Sequence, residues 1–211
     1  MVVPLHVRRF GLVAYEPTWH AMRDQTLARV GDAASKAPDE LWFVEHPPVF
    51  TQGQAGKPEH LLRDIGIPIV PIDRGGQITY HGPGQVVVYL LIDLQRRHIK
   101  VRELVSKIEQ AVIDLLADYG IVADRHAGAP GVYVGEAKVA ALGLRIRNGC
   151  SYHGVSLNVN MDLTPFSAIN PCGYAGMAVT QLHDLGVNVS LSEAGEALLQ
   201  HLQKQLESSD G

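Results

Sequence analysis

Apolar positions in the 211-residue chain recur with two different periods, and together they predict a mixture of helices and strands. The most regular stretch is Val101, Leu104, Val105, Ile108, Ala111, Val112, Leu115, Leu116 and Tyr119. It has helical spacing, and Gly120 follows as the stop. Trp19, Met22, Thr26, Leu27 and Val30, with Pro17 near the start, predict an amphipathic first helix. Ser190 with Glu193 makes a capping box for a last helix through about Leu206. Val86–Leu94 is a near-continuous apolar run rich in β-branched residues, which predicts a central strand buried on both faces.

Shorter strands are expected at Leu41–Val44, ended by His46-Pro47-Pro48, at Ile67–Ile72 and at Val155–Val159. Val132–Val134 and Lys138–Ile146 flank Gly135-Glu136, a pair suited to a type II′ hairpin. Hairpin-joined strands without regular βαβ alternation give an α+β class, with mixed or antiparallel sheets and flanking helices. With no linker, repeat or low-complexity segment in view, residues 1–211 are expected to form a single domain.

Composition then narrows the function classes. Hydrophobic residues make up 46% and charged residues 19%, too apolar for a disordered chain. The net charge is −4, so no nucleic-acid partner is expected. The longest apolar run is Val86–Ile92, too short to span a bilayer, and Met1–Phe10 shows no small-residue cleavage site. Cys150 and Cys172 are the two cysteines, which points to free thiols and a cytoplasmic setting. Basic residues gather at Arg96, Arg97, His98, Lys100 and Arg102. They read as a solvated corner or as a docking patch for an acidic partner.

Three loops carry candidate chemistry. Arg74-Gly75-Gly76-Gln77-Ile78-Thr79-Tyr80-His81-Gly82-Pro83-Gly84-Gln85 precedes the central strand, and its glycines let the backbone approach a ligand. It is neither a Walker loop nor a Rossmann fingerprint, because a strand follows it rather than a helix. In the second, period two places Lys138 on one face with Ala140, Leu142, Leu144 and Ile146. Alone, Lys138 would be a strand-end lysine reaching for solvent; held against an apolar face, it could be desolvated and serve in proton transfer. Gly143 leaves a gap for a ligand or a neighbouring backbone. The third is Asn170-Pro171-Cys172-Gly173-Tyr174-Ala175-Gly176, where a turn exposes the thiol. Cys172 is there either an incidental loop cysteine or a nucleophile. Cys150 is its rival, within reach of His153 in sequence, but it borders strands and is expected in the core. No histidine or cysteine spacing suggests a metal site.

Together these segments resemble a known family. Arg74-Gly75-Gly76-x-x-Thr79-Tyr80-His81-Gly82-Pro83-Gly84-Gln85, then Gly131-Val132-Tyr133-Val134-Gly135-x-x-Lys138-Val139-Ala140-x-Leu142-Gly143, then Asn170-Pro171-Cys172-Gly173-Tyr174, look like the lipoyl(octanoyl) transferases, or lipoate–protein ligase B family. Val44–Thr51 and Ser151–Gly154 add to the likeness. The resemblance implies the fold of biotin and lipoate ligases. It implies octanoyl transfer from octanoyl-acyl carrier protein to a lysine of lipoyl domains. The acceptors would be E2 subunits of 2-oxoacid dehydrogenases and the glycine-cleavage H protein. It implies Cys172 as acyl-accepting nucleophile and Lys138 as its partner, with no cofactor. Substrate-binding positions would be Arg74, Gly75, Gly76, Gln77, Ile78, Thr79, Tyr80 and His81, then Ala141, Leu142 and Gly143, then Gly154, Val155 and Ser156. The stripe Ala140, Leu142 and Leu144 would wall an eight-carbon chain. The competing readings are an ATP-dependent lipoate or biotin ligase of the same fold, which needs no cysteine, and a non-catalytic acyl-binding module.

Overall fold

The computed structural model describes residues 4–29, 37–171 and 176–207. Among the described residues, ten strands build two sheets and three α-helices flank them. The strands are β1 Leu5–Leu12, β2 Asp39–Glu45, β3 Val49–Gln52, β4 Ile69–Pro71, β5 Ile78–His81, β6 Gln85–Leu91, β7 Asp124–His126, β8 Ala129–Val134, β9 Ala137–Arg147 and β10 Cys150–Asn158. The helices are α1 Tyr15–Leu27, α2 Val101–Asp118 and α3 Leu191–Glu207. The larger sheet has the order β1-β2-β6-β10-β9-β8-β7, and the smaller has β4-β3-β5. Among the named strands, β1 pairs with β2 and β3 with β4 in parallel and the other pairings are antiparallel, so the α+β class and the mixed sheet are as expected.

Strand β6 shows why its sequence is apolar throughout. Val86, Val88 and Leu90 face α2 and α3, where Leu104, Ile108, Leu115, Leu198 and Leu202 complete the main core. Val87, Tyr89 and Leu91 face the other way, toward Tyr15 and Met22 of α1. A central strand covered on both sides has no face for polar residues, even among antiparallel neighbours. The small sheet caps this second face, and its outer side packs Phe50 and Tyr80 against Phe166 and Ile169.

The helix expectations hold. Gly120 ends the α2 pattern at φ +73. Ser190 and Glu193 exchange both capping bonds, at 2.8 and 3.2 Å. The first hairpin turns on Gly135-Glu136, with positive φ at Gly135 alone, as a type II′ turn needs. A second hairpin turns on Asn148-Gly149, both at positive φ, so β10 begins at Cys150 rather than Val155. The expected strand at Ile67–Ile72 shrinks to Ile69–Pro71, and the second half of the glycine-rich loop is itself strand β5. Val30 lies outside the described residues.

Two residues of the basic corner are not solvated, while His98, Lys100 and Arg102 are exposed as a solvated corner would have them. Arg96 Nη2 and Arg97 Nε turn inward onto the buried Asp39 carboxylate, at 2.6 and 2.5 Å. The backbone supplies the rest: Arg96 also donates to Ala37 O and Arg97 to Leu206 O.

Candidate active site

Two glycine-bearing strands and one loop enclose a small, largely apolar cleft. Its floor is cross-strand paired: Gly143 opposes Gly154, Leu142 opposes Val155 and Ala141 opposes Ser156. Two triplets far apart in sequence therefore become one surface. The opposite wall is the loop from Arg74, which supplies Gly76, Gln77, Ile78, Thr79 and His81. Gly143 is small because Arg74 crosses it. A Cβ there would stand 2.9 Å from Arg74 Cδ, while Gly75 N–H donates to Leu144 O at 3.1 Å. Arg74 is a clamp: Nη2 donates to Thr51 O and Oγ1, and Nη1 to Gly75 O. Tyr80 does not reach the cleft. It alternates to the far side of β5, against Phe50 and Phe166.

The cleft also holds residues that spacing did not suggest. Tyr15, Tyr89 and His153 line it. His153 sits at φ +61, uncommon for a non-glycine residue and a mark of a constrained site. Its Nε2–H donates to Asp73 Oδ1 at 3.0 Å. Asp73 accepts two further bonds, from Trp19 Nε1 at 2.9 Å and from the Tyr152 hydroxyl. Burial works against this carboxylate's ionisation, but the bonds from His153, Tyr152 and Trp19 win and hold its pKa well below the usual range. Burial is also the largest influence on His153 and lowers its pKa against the pull of Asp73. Asp73 and His153 are 80 positions apart. The available signals were their neighbours: each directly precedes a motif residue, Arg74 or Gly154.

Two more histidines are held neutral with fixed tautomers. Burial pushes His81 down to about 3, and His46 to about 4. Asn158 Nδ2 donates to Thr180 O, so Asn158 Oδ1 accepts from Gln85 Nε2. Gln85 Oε1 is then left to accept from His81 Nδ1 at 2.7 Å, which makes Nε2 the acceptor nitrogen of His81. His46 Nδ1 donates to Val13 O and its Nε2 accepts from Tyr89, each at 2.7 Å.

A second, smaller space adjoins the cleft, and Thr79, Ala141 and Ser156 line both. Lys138 lines this chamber and is 3% exposed. That placement corrects the face assigned by simple alternation. Val132 pairs with Ala140 but Tyr133 pairs with Lys138, so Val139 is an extra residue on β9. This bulge resets the period and puts Lys138 on the side of Ala141 rather than Ala140. Ala140 and Leu144 instead pack into the main core. Of the expected acyl wall, only Leu142 lines the cleft, beside Ala141 and Gly143. The Lys138 ammonium donates to Pro130 O at 3.2 Å and lies 5.1 Å from the Tyr133 ring centroid, a cation–π distance.

A family profile described as the lipoyl protein ligase A/B catalytic domain matches residues 18–203. The chain belongs to this family. An octanoyltransferase from Dechloromonas aromatica is 67% identical over 209 residues, covering 99% of this chain and all of its own length. The bi-partite lipoate protein ligase of Thermoplasma acidophilum superposes with a TM-score of 0.70 at 19% identity, over 98% of this chain and 84% of that one. A biotin protein ligase from Aquifex aeolicus, in complex with biotin and ATP, gives 0.57 at 12% identity, over 96% and 69%. The biotin and lipoate ligase fold expected from the sequence is therefore the fold observed.

Within this lipoyl ligase frame the two cysteines differ. Cys150 is buried at the start of β10, and burial, with Asp93 next, pushes its thiol pKa up. The groups acting on its thiol are Asp93, Arg29 and Asp39, and His153 Nε2 is bonded to Asp73 instead. Cys172 lies outside the described residues, but its flanks do not. Asn170 N–H donates to His60 O, and Pro171 lines the Lys138 chamber. After the loop, Ala178 O accepts the Lys138 N–H and Thr180 N–H donates to Lys138 O, each at 2.9 Å. Among the described residues, no three histidine, cysteine, aspartate or glutamate side chains group to hold a metal ion.

Proposed function

We propose that this chain, as one catalytic domain over residues 1–211, moves an octanoyl group from octanoyl-acyl carrier protein to a lysine of a lipoyl domain, by way of a Cys172 thioester. Octanoyl transfer in lipoate biosynthesis rests on full-length relatives bearing the name octanoyltransferase. The observation that carries the mechanism is the Lys138 chamber. It shares Thr79, Ala141 and Ser156 with the cleft, and its lining residues Pro171 and Val179 bracket Cys172 in the sequence.

The chemistry follows from the groups available. The Cys172 thiolate attacks the donor thioester carbonyl, the carrier's thiolate leaves, and one thioester replaces another at little net cost. The Lys138 ammonium favours the thiolate of Cys172. The acceptor lysine amine then attacks the acyl-enzyme, the C–S bond breaks, and an amide forms. The amine's proton passes to the departing Cys172 sulfur, or to Lys138 once its ammonium has given a proton to the carrier's thiolate. The acyl chain occupies the cleft over Ala141–Gly143 and Gly154–Ser156, with Arg74, Gly75, Gly76, Gln77, Ile78 and Thr79 forming its rim. His81 Nε2 supplies the acceptor at the polar end. The acceptors are the E2 and H-protein lipoyl domains, and the compartment is the cytoplasm, in keeping with the two-cysteine composition.

Intact-mass measurement after mixing with octanoyl-acyl carrier protein, without ATP, tests the reading. A gain of one octanoyl group that hydroxylamine removes is the expected result. An adduct or product formed only with ATP would make the chain a ligase, and no adduct under either condition would make it a binding module.

A further inference from the structure

The peptide group between Pro130 and Gly131 touches two ionisable side chains at once. Its carbonyl accepts from Lys138 Nζ at 3.2 Å. Its N–H donates to Glu109 Oε1 at 3.0 Å. Glu109 lies on the inner side of α2, 7% exposed, next to the core residue Ile108. A carboxylate in such a place is costly unless it is paired. Its second oxygen accepts from Arg125 Nε at 3.1 Å, and Arg125 is itself tied to Ser106 O and Gln110 Oε1. A guanidinium on β7, a carboxylate on α2, a peptide on β8 and an ammonium on β9 thus form one line.

Gly131 is shaped for this arrangement. Its φ of +137 is open to glycine and rare for other residues, and a Cβ would stand 2.7 Å from Ala140 O and 3.1 Å from Lys138 Cε. The end of the lysine therefore rests directly on this peptide. An anion on a peptide N–H polarises the group and makes its oxygen a stronger acceptor. The Glu109 charge is felt at the ammonium without contact.

The geometry points to Glu109 as a positioning residue for Lys138: through the Pro130–Gly131 peptide it fixes the ammonium in the chamber that adjoins the acyl cleft. The inference rests on the role proposed above for Lys138. A merely structural Glu109 would tie α2 to β8, and its loss would cost stability regardless of what stands at position 138.

The test measures alkylation of Cys172 by iodoacetamide against pH, in a Cys150→Ala background, with thermal melting and single-turnover octanoyl transfer alongside. Lys138→Ala raises the apparent thiol pKa. Glu109→Ala moves it in the same direction by less, and slows transfer about tenfold, the worth of one hydrogen bond to a charged group. Glu109→Gln keeps an acceptor for the Gly131 N–H and falls between wild type and alanine. Glu109→Ala combined with Lys138→Ala matches Lys138→Ala alone, because residues acting through one group are not additive. An unmoved thiol titration in folded Glu109→Ala overturns the inference, as do losses that add in the double variant. If Glu109→Ala fails to fold, an unmoved titration in Glu109→Gln overturns it. An unmoved titration in Lys138→Ala instead removes the Lys138 reading, and the inference with it.

Discussion

Ala141 lines both the cleft and the Lys138 chamber, as Thr79 and Ser156 do, and enlarging it has a calculable effect on chain length. Ala141→Leu adds three carbons to this junction. An octanoyl chain must then surrender the space of about three methylenes, at roughly 0.8 kcal/mol each, or about 2.4 kcal/mol. At roughly 1.4 kcal/mol per decade, kcat/KM for the octanoyl donor falls on the order of 60-fold. A butyryl donor is short enough to keep its place. The assay compares octanoyl and butyryl carrier-protein donors in competition, because any disturbance of Lys138 affects both alike and cancels in the ratio. The companion variant Leu144→Ala lies in the main core, so it lowers stability, on the order of 2 kcal/mol, and leaves the ratio alone. Equal loss on the two donors in Ala141→Leu, or a changed ratio in Leu144→Ala, would refute this placement of the acyl chain.

Three further outcomes are expected. Cys172→Ala loses both the acyl adduct and turnover, whereas Cys150→Ala folds and stays active; intact mass and a transfer assay decide, and the reverse pattern would exchange the two roles. Transfer proceeds without nucleotide and survives EDTA, and dependence on Mg²⁺-ATP would contradict the thioester route. Burial lowers the His46 pKa to about 4 from an ordinary 6.5. Its stabilising effect is therefore complete above about pH 6.5 and fades as pH falls toward 4, by roughly 2 kcal/mol at pH 5. Urea unfolding at pH 7.5 and 5 should show this loss, with a shallower dependence in His46→Gln, and equal slopes in the two proteins would exclude His46 as a source.

Legibility in the sequence followed how local each signal is. Helix α2 and strand β6 were plain because each is a long run with one period. The capping box of α3 and the Gly135-Glu136 turn were plain because their chemistry spans a few residues. Strand β1 was missed because Arg8 and Arg9 break its apolar alternation at a sheet edge. The Asn148-Gly149 pair did announce a hairpin, one turn earlier than β10 was expected. Lys138 was placed on the wrong face because a bulge opposite Val132 and Tyr133 leaves no mark in the spacing of β9 itself. Tyr80 fell among cleft residues because a motif read as a loop conceals the alternation of β5. The bonds of Asp73 to Trp19, Tyr152 and His153 join three segments that only the folded sheet brings together.

Asp39 has a bearing on how this sequence can change over generations. Its carboxylate is fully buried and holds Arg29, Arg96 and Arg97, at 3.4, 2.6 and 2.5 Å, together with the Asp93 N–H at 2.9 Å. Losing any one arginine leaves the acid with two cationic neighbours. Losing the acid first leaves three guanidiniums facing one another, two of them at most 5% exposed, and removing one partner of a buried pair already costs about 3–5 kcal/mol. The four positions can therefore be replaced by uncharged residues in some orders and not in others: the aspartate goes neither first, which strands three guanidiniums, nor last, which strands a buried carboxylate. A lineage that meets Asp39→Asn before any arginine has gone meets a dead end, although the final uncharged cluster could be as stable as the original.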